Sequence, residues 1–314
     1  MKQNQFIQSK SENWKRFEAH CNQADNLPSN FPTQFRQICS DLSIAKTRNY
    51  SPTLVQNLNR LVQLGQTHLY KGSSLSLRQI LHVFTRDFPT ALYTTRYYMW
   101  GSFFAFYGFG LLAFIWVLIS PDAIYHFLDP QSVNNLESMY NPSGSTQSLI
   151  RGADSDVLML GVYIFNNIGI AFQMIGGGAL FGIGALIPLL FNSFYLGAVF
   201  AHMLNVGYTS TFYSFVISHG SFELMAIVVA GAAGSKIGFS LLAPGNYTRA
   251  YAFKAAGKQV MPLIVGAFVM LFIAAFIEAF WSPRDIPSAY KYFIGSIGWL
   301  FVCYRLYKGV RYGT

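Results

Sequence analysis

Charge is what this sequence has least of. Only 11% of its 314 residues are Asp, Glu, Lys or Arg, against roughly 25% in an average soluble domain. No Lys or Arg occurs from Gly152 to Ser235, and the carboxylates there are Asp154 and Asp156 at the edge and Glu223 inside. So long a stretch without basic residues excludes an ordinary water-solvated surface. Cysteine is nearly absent too. Cys21, Cys39 and Cys303 are odd in number and far apart, which excludes a disulfide framework and a CxxC metal pair. The glycine-rich run GGGALFGIG at 176–184 has Phe181 where a dinucleotide fingerprint needs glycine, and it follows no strand. No nucleophile stands with a base and an orienting acid, so no enzyme activity is expected. The first twenty residues are hydrophilic and predict no cleavable signal peptide.

What is present is apolar sequence, 52% of the chain, gathered in blocks. Apolar blocks of roughly 18 residues or more are candidates to cross a bilayer. Six such spans are expected, at about 101–119, 157–175, 179–201, 211–234, 259–281 and 290–304. The apolar run 157–201 is too long for one helix across ~30 Å of hydrocarbon. It is split near Gly176-Gly177-Gly178, either into two full spans or into an arrangement with a re-entrant hairpin.

The net charge of +9 belongs to residues flanking these blocks. It points to a cytoplasmic face in contact with anionic lipids, and not to nucleic acid. Residues 1–98 hold 12 Lys/Arg against 5 Asp/Glu, the 235–258 loop and the tail are basic, and the 120–156 loop carries five acidic residues and one Arg. With six crossings, both termini fall in the cytoplasm. The expected domains are a helical cytoplasmic region, 1–98, and a transmembrane domain, 99–314. Leu77, Ile80, Leu81, Phe84 and Phe88 share one helical face, which predicts an amphipathic helix on the membrane surface, broken at Pro89. Packing of that helix on the rest of the first region is the other reading. The fold class is all-α: a polytopic transmembrane bundle with an N-terminal helical region and an interfacial amphipathic helix.

The apolar spans carry polar residues that need an explanation. Asn166, Gly169, Gln173 and Gly177 share a face of the second span, with Asn167 beside it; Gly184, Pro188 and Asn192 follow at intervals of four in the third; His219, Glu223, Ala226 and Ala230 form a stripe in the fourth. A face bearing Glu223 belongs inside the bundle, against another subunit or on a water-filled cavity. Glu223 is then neutral, hydrogen-bonded to His219 and the asparagines, or paired with an ion. Such residues commonly join helices through hydrogen bonds. They can also handle protons or cations. No cofactor is expected and no metal is assigned: zinc takes three or four ligands, and His219, Glu223 and perhaps His202 do not form an HExxH pattern. Glu278 reads as an interfacial residue near Trp281 and Arg284. Gly178 and Gly182, like Gly234 and Gly238, have GxxxG spacing, which suits close helix packing.

The order FNNIGIAFQMIGGGALFGIGALIPLLFNSFYLG, followed by HGSFELMAIVVAGAAG, resembles the stage II sporulation protein M family of bacterial integral membrane proteins. The matching positions are Asn166, Asn167, Gly178, Gly182, Asn192, Gly197, His219, Gly220 and Glu223, within a likeness covering about 90–305. Ser193 departs from the glycine that often follows the Asn in that family, and the long first region looks like the branch from bacteria that do not sporulate. The resemblance implies an inner-membrane protein. The family's best-known member anchors two peptidoglycan-degrading enzymes during engulfment, and other relatives neighbour chaperone-type ATPases. It therefore implies a scaffold, expected to be oligomeric, whose partners are other membrane or envelope proteins. The alternative is a transporter or channel for protons, cations or a small solute at His219/Glu223. An intramembrane hydrolase using that pair is a further one.

Overall fold

The computed structural model describes residues 2–22, 28–69, 82–142 and 153–313, and among these it is helical with no strand. The chain forms two compact units, Met1–Leu77 and Arg78–Thr314.

The first unit consists of helices α1 (Gln3–Asn22), α2 (Phe31–Thr47) and α3 (Pro52–Leu69). Phe6, Trp14, Phe17 and Cys21 recur at helical spacing on α1 and are buried against Phe31, Ile38 and Leu42 of α2 and Leu58 and Leu61 of α3. Proline in the first turn of α2 costs no hydrogen bond, because that N–H has no intrahelical partner anyway. One buried carboxylate is matched from two sides: Asp41 accepts from the Trp14 indole N–H at 2.9 Å and from Gln37 at 3.1 Å. The unit thus has its own core.

The second unit opens with a π-helical turn, Val83–Asp87, running into α4 (Phe88–Thr94). The helix expected to end at Pro89 continues through it. Pro89 lies in the first turn of α4, just after the wider turn, where its missing N–H and its ring are accommodated. Leu77, Ile80 and Leu81, three of the five residues of the expected amphipathic face, lie outside the described residues. Phe88, at the end of that face, packs on Gly266, and Leu92 packs on Gly309.

Next come α5 (Arg96–Ile119), a 3-10 turn at Pro121–His126, α6 (Pro130–Tyr140), α7 (Ala153–Gly177), α8 (Ile183–Asn205), α9 (Thr209–Leu242), α10 (Arg249–Phe280) and α11 (Ser288–Tyr312). Among the described residues, α5, α7, α8, α9 and α10 are long and apolar enough to cross a membrane. The run 157–201 splits into α7 and α8 through a turn containing Phe181 at φ +53° and Gly182 at φ +86°; a residue without Cβ suits the second. Each helix, 25 and 23 residues, reaches ~35 Å, enough for a full span. The expected sixth span lies within α11, which has 25 residues but is less apolar, carrying Lys291, Arg305, Lys308 and Arg311.

α9 is the axis. In its most apolar stretch 72% of residues are buried, against 17–39% in the other four spans. It packs on α10, α11, α7, α8 and α5. Small residues permit this: Ala226, Ala230, Ala232 and Ala233 have no exposed surface, and Gly231 lies under Leu189. Its 34 residues make ~51 Å, well beyond ~30 Å of hydrocarbon. α9 and α10 therefore overrun the expected spans at the end bearing Lys236, Arg249, Lys254 and Lys258.

The 120–141 segment, expected as a polar loop, is folded. Ala123, Ile124, Leu128 and Val133 are buried with Val117 of α5, Val199 and Met203 of α8, and Phe212 and Phe215 of α9. The segment is pinned by Glu137 to His202 at 2.8 Å and by the Thr211 hydroxyl donating to the Tyr140 carbonyl.

Candidate functional site

His219 and Glu223 lie four residues apart, on one face of α9. His219 is 3% exposed, and its Nε2 is 3.6 Å from Glu223 Oε2. Its other ring nitrogen, Nδ1, is hydrogen-bonded to the Ser282 hydroxyl at 3.0 Å. Ser282 follows α10 directly and is itself held: Lys291 of α11 donates to its carbonyl at 2.8 Å. Arg284, two residues on, pairs with the fully buried Asp156 at the start of α7. Four helices are thus tied together around the imidazole.

Glu278 enters this site from α10. One ligand atom each from His219, Glu223 and Glu278 lies within 4.8 Å of the others, close enough for a single cation to touch all three. Glu278, read in the sequence as interfacial and without a role, thus sits beside His219 and Glu223. An antiparallel hairpin brings the start of α9 beside the end of α10, and that pairing was the available signal. His202, weighed beside His219 and Glu223 in the sequence, is elsewhere, bonded to Glu137.

The remaining polar residues expected in one cluster separate. Asn167 is 5% exposed, and its Nδ2 has no hydrogen-bond partner. It shares a face of α7 with Ala171, Met174 and Gly178, and Gly234 of α9 abuts the Met174 carbonyl. Gly178 meets Gly234 and Gly182 meets Gly238, so the two segments run parallel in fixed register. Asn166 and Gln173, by contrast, lie on the exposed side of α7. Asn166 donates to Asn167 at 3.1 Å. Asn192 donates to the carbonyl of Pro188 in its own helix at 2.8 Å.

The glycines separate in the same way. A Cβ on Gly178 would fall on the Gly234 carbonyl, one on Gly234 on the Met174 carbonyl, one on Gly238 on the Gly182 backbone, and one on Gly197 on the Gly110 carbonyl. A Cβ on Gly220 would meet only Val216 at 3.4 Å and Trp299 at 4.0 Å, ordinary contacts. Gly220 is thus not a point of close backbone approach. Gly110 and Gly295 are such points, pressed on the Ser193 and Ile217 carbonyls, and Gly266 lies against the Phe88 ring.

A bundle of long apolar helices around a buried polar site defines an all-α, multi-pass membrane protein. The chain belongs to the Stage II sporulation protein M family, which residues 102–283 match. Residues 4–71 match a domain of unknown function (DUF8413), within the first unit. The chain is also similar to an uncharacterized protein of Methanocaldococcus jannaschii, 27% identical over 121 residues, covering 38% of this chain and 68% of that one. No solved structure matches.

Proposed function

We propose that this protein is a non-enzymatic inner-membrane scaffold that works as a homo-oligomer, with α7 as its self-association face, and holds other envelope proteins in place. The observation that carries this is the outward side of α7. Asn166, Gly169, Gln173 and Gly176 follow at intervals of three and four, and Asn166, Gln173 and Gly176 are exposed while nothing lies within 4 Å of where a Cβ on Gly169 or Gly176 would stand. Moving an amide side chain from water into hydrocarbon without a partner costs ~4 kcal/mol or more, whereas a second helix restores the hydrogen bonds. Asn and Gln each carry donor and acceptor. Across a two-fold axis each can satisfy its own copy, which favours a second copy of this chain over an unrelated helix.

The test is cysteine crosslinking in membranes, in a background where Cys21, Cys39 and Cys303 are replaced. Asn166→Cys and Gln173→Cys are expected to give linked dimers, and Leu112→Cys, on the exposed apolar side of α5, to give none. A chain that stays monomeric in mild detergent and does not crosslink at either α7 position overturns the reading.

Orientation rests on charge. The basic residues of the α9–α10 connection and of the tail of α11 gather at one end of the bundle, and Asp122, Asp129, Glu137 and Asp156 belong to the other. By the positive-inside rule the basic end is cytoplasmic, facing anionic lipids, with both chain termini. The His219–Glu223–Glu278 group, with its histidine buried and its carboxylates partly buried, favours a second reading, a transporter of protons, cations or a small solute. Flux in proteoliposomes that Glu223→Gln abolishes would replace the scaffold by the transporter.

A further inference from the structure

We infer that His219, Glu223 and Glu278 bind one divalent first-row cation, of the zinc or manganese type, inside the bundle. The argument begins with charge. Two carboxylates and a neutral imidazole sum to −2, and a dication brings the group to zero. His219 is buried and the two carboxylates are partly buried, so a cation-free group either holds two poorly solvated negative charges or takes up protons. The nearby basic groups are engaged elsewhere: Arg284 with Asp156, and Lys291 with the Ser282 carbonyl.

Geometry agrees with charge. With its proton on Nδ1, His219 donates to the Ser282 hydroxyl and turns an unprotonated Nε2 toward Glu223. Two acceptors then face each other at 3.6 Å, beyond hydrogen-bond length. A cation between them makes that arrangement favourable, because imidazole nitrogen and carboxylate oxygen are both ligands of zinc and manganese. Metal-bound histidines commonly donate their second ring N–H to an outer partner that fixes tautomer and orientation, and Ser282 occupies that position. Asn167 of α7, a helix packed on both α9 and α10, adds a buried Nδ2 without a hydrogen-bond partner inside the same bundle. The site is independent of the outward side of α7, so either proposal can fail without the other.

The experiment uses the full chain, purified in mild detergent through a tag without histidine and never exposed to chelator. Elemental analysis is expected to find about one zinc or manganese per chain. After stripping, titration with Zn2+, Mn2+ and Co2+ is expected to give one saturable site, with Co2+ showing ligand-field absorption. Ser282→Ala is expected to weaken binding about 10–100-fold, the usual effect of losing an outer partner. Glu278→Gln and His219→Gln are expected to weaken it further and remove the Co2+ bands. A wild-type chain with no stoichiometric metal and no saturable uptake overturns the inference. So does a His219→Gln/Glu278→Gln double variant that binds like wild type. If the variants do not fold, the wild-type titration alone decides.

Discussion

At the scale of single residues, the second unit is governed by where a Cβ fits. Gly197 and Gly234 lie on the carbonyls of Gly110 and Met174, so a methyl group must push two helices apart, and overpacking of this kind costs ~1–3 kcal/mol. At Gly220 the same methyl group meets only van der Waals neighbours, and alanine is favoured over glycine in a helix by ~1 kcal/mol. Thermal unfolding in detergent is therefore expected to show Gly197→Ala and Gly234→Ala clearly destabilised and Gly220→Ala unchanged or more stable. Equal losses at all three would mean that backbone approach is not what these glycines provide. The GxxxG spacings at 178/182 and 234/238 were legible in the sequence because both partners carry the motif. Gly110 and Gly266 were not, because a lone glycine gives no sign of the surface pressed against it. The approach of Glu278 to His219 and Glu223 was hidden for a related reason. Proximity to Trp281 and Arg284 along the chain suggested the interface, while its neighbours in space come from α9.

At the scale of elements, the apolar blocks located the spanning helices, since hydrocarbon thickness sets their length. Helix ends were less visible, because the helix continues after the sequence turns polar, as at 235–242 and 249–258. The segment after α5 was the largest miss. Its five buried hydrophobic residues, Ala123, Ile124, Leu128, Val133 and Tyr140, are spread among acidic and amide side chains, so no block announces them. α6 is instead held by its start: the Asp129 carboxylate accepts from the Ser132 N–H at 3.0 Å and the Ser132 hydroxyl at 2.7 Å. Those bonds hold its carboxyl below the usual carboxylate range. A carboxyl lowered on folding contributes stability that is complete above its unfolded value of about 4 and is lost as pH falls through the folded value. Amide exchange in 132–140, corrected for the intrinsic pH effect, is expected to speed up below pH ~4. In Asp129→Asn, which keeps an acceptor oxygen but cannot ionise, this acid-sensitive part is expected to disappear. If protection in the wild-type chain is the same on both sides of that pH, the cap does not hold the helix.

For the molecule as a whole, charge and packing make separate demands that converge on one topology. Packing requires α9 to be surrounded, and α5, α7, α8, α10 and α11 all reach it. Charge requires the basic ends to share one side. Whether α11 completes a sixth crossing was the point least legible in the sequence, because its apolar stretch is short and basic residues stand at both ends. In the bundle α11 follows α10 through the turn at Ser282–Arg284, and Gly295 lies on the Ile217 carbonyl of α9. Its first half therefore lies alongside spanning helices, and its Arg305–Arg311 end points toward the same side as the α9–α10 connection. The proposed topology has α11 as a sixth crossing beside the five apolar helices, with Gly313 and Asn246 on one side and Ser138 on the other. Single cysteines at these positions, in the background without native cysteines, test this with a membrane-impermeant thiol reagent on intact cells. Ser138→Cys is expected to react, and Asn246→Cys and Gly313→Cys only after the membrane is opened. Labelling of Gly313→Cys from outside, with Asn246→Cys still protected, would mean that α11 ends on the side where it began. The chain would then cross five times, and the positive-inside argument would no longer apply to its tail.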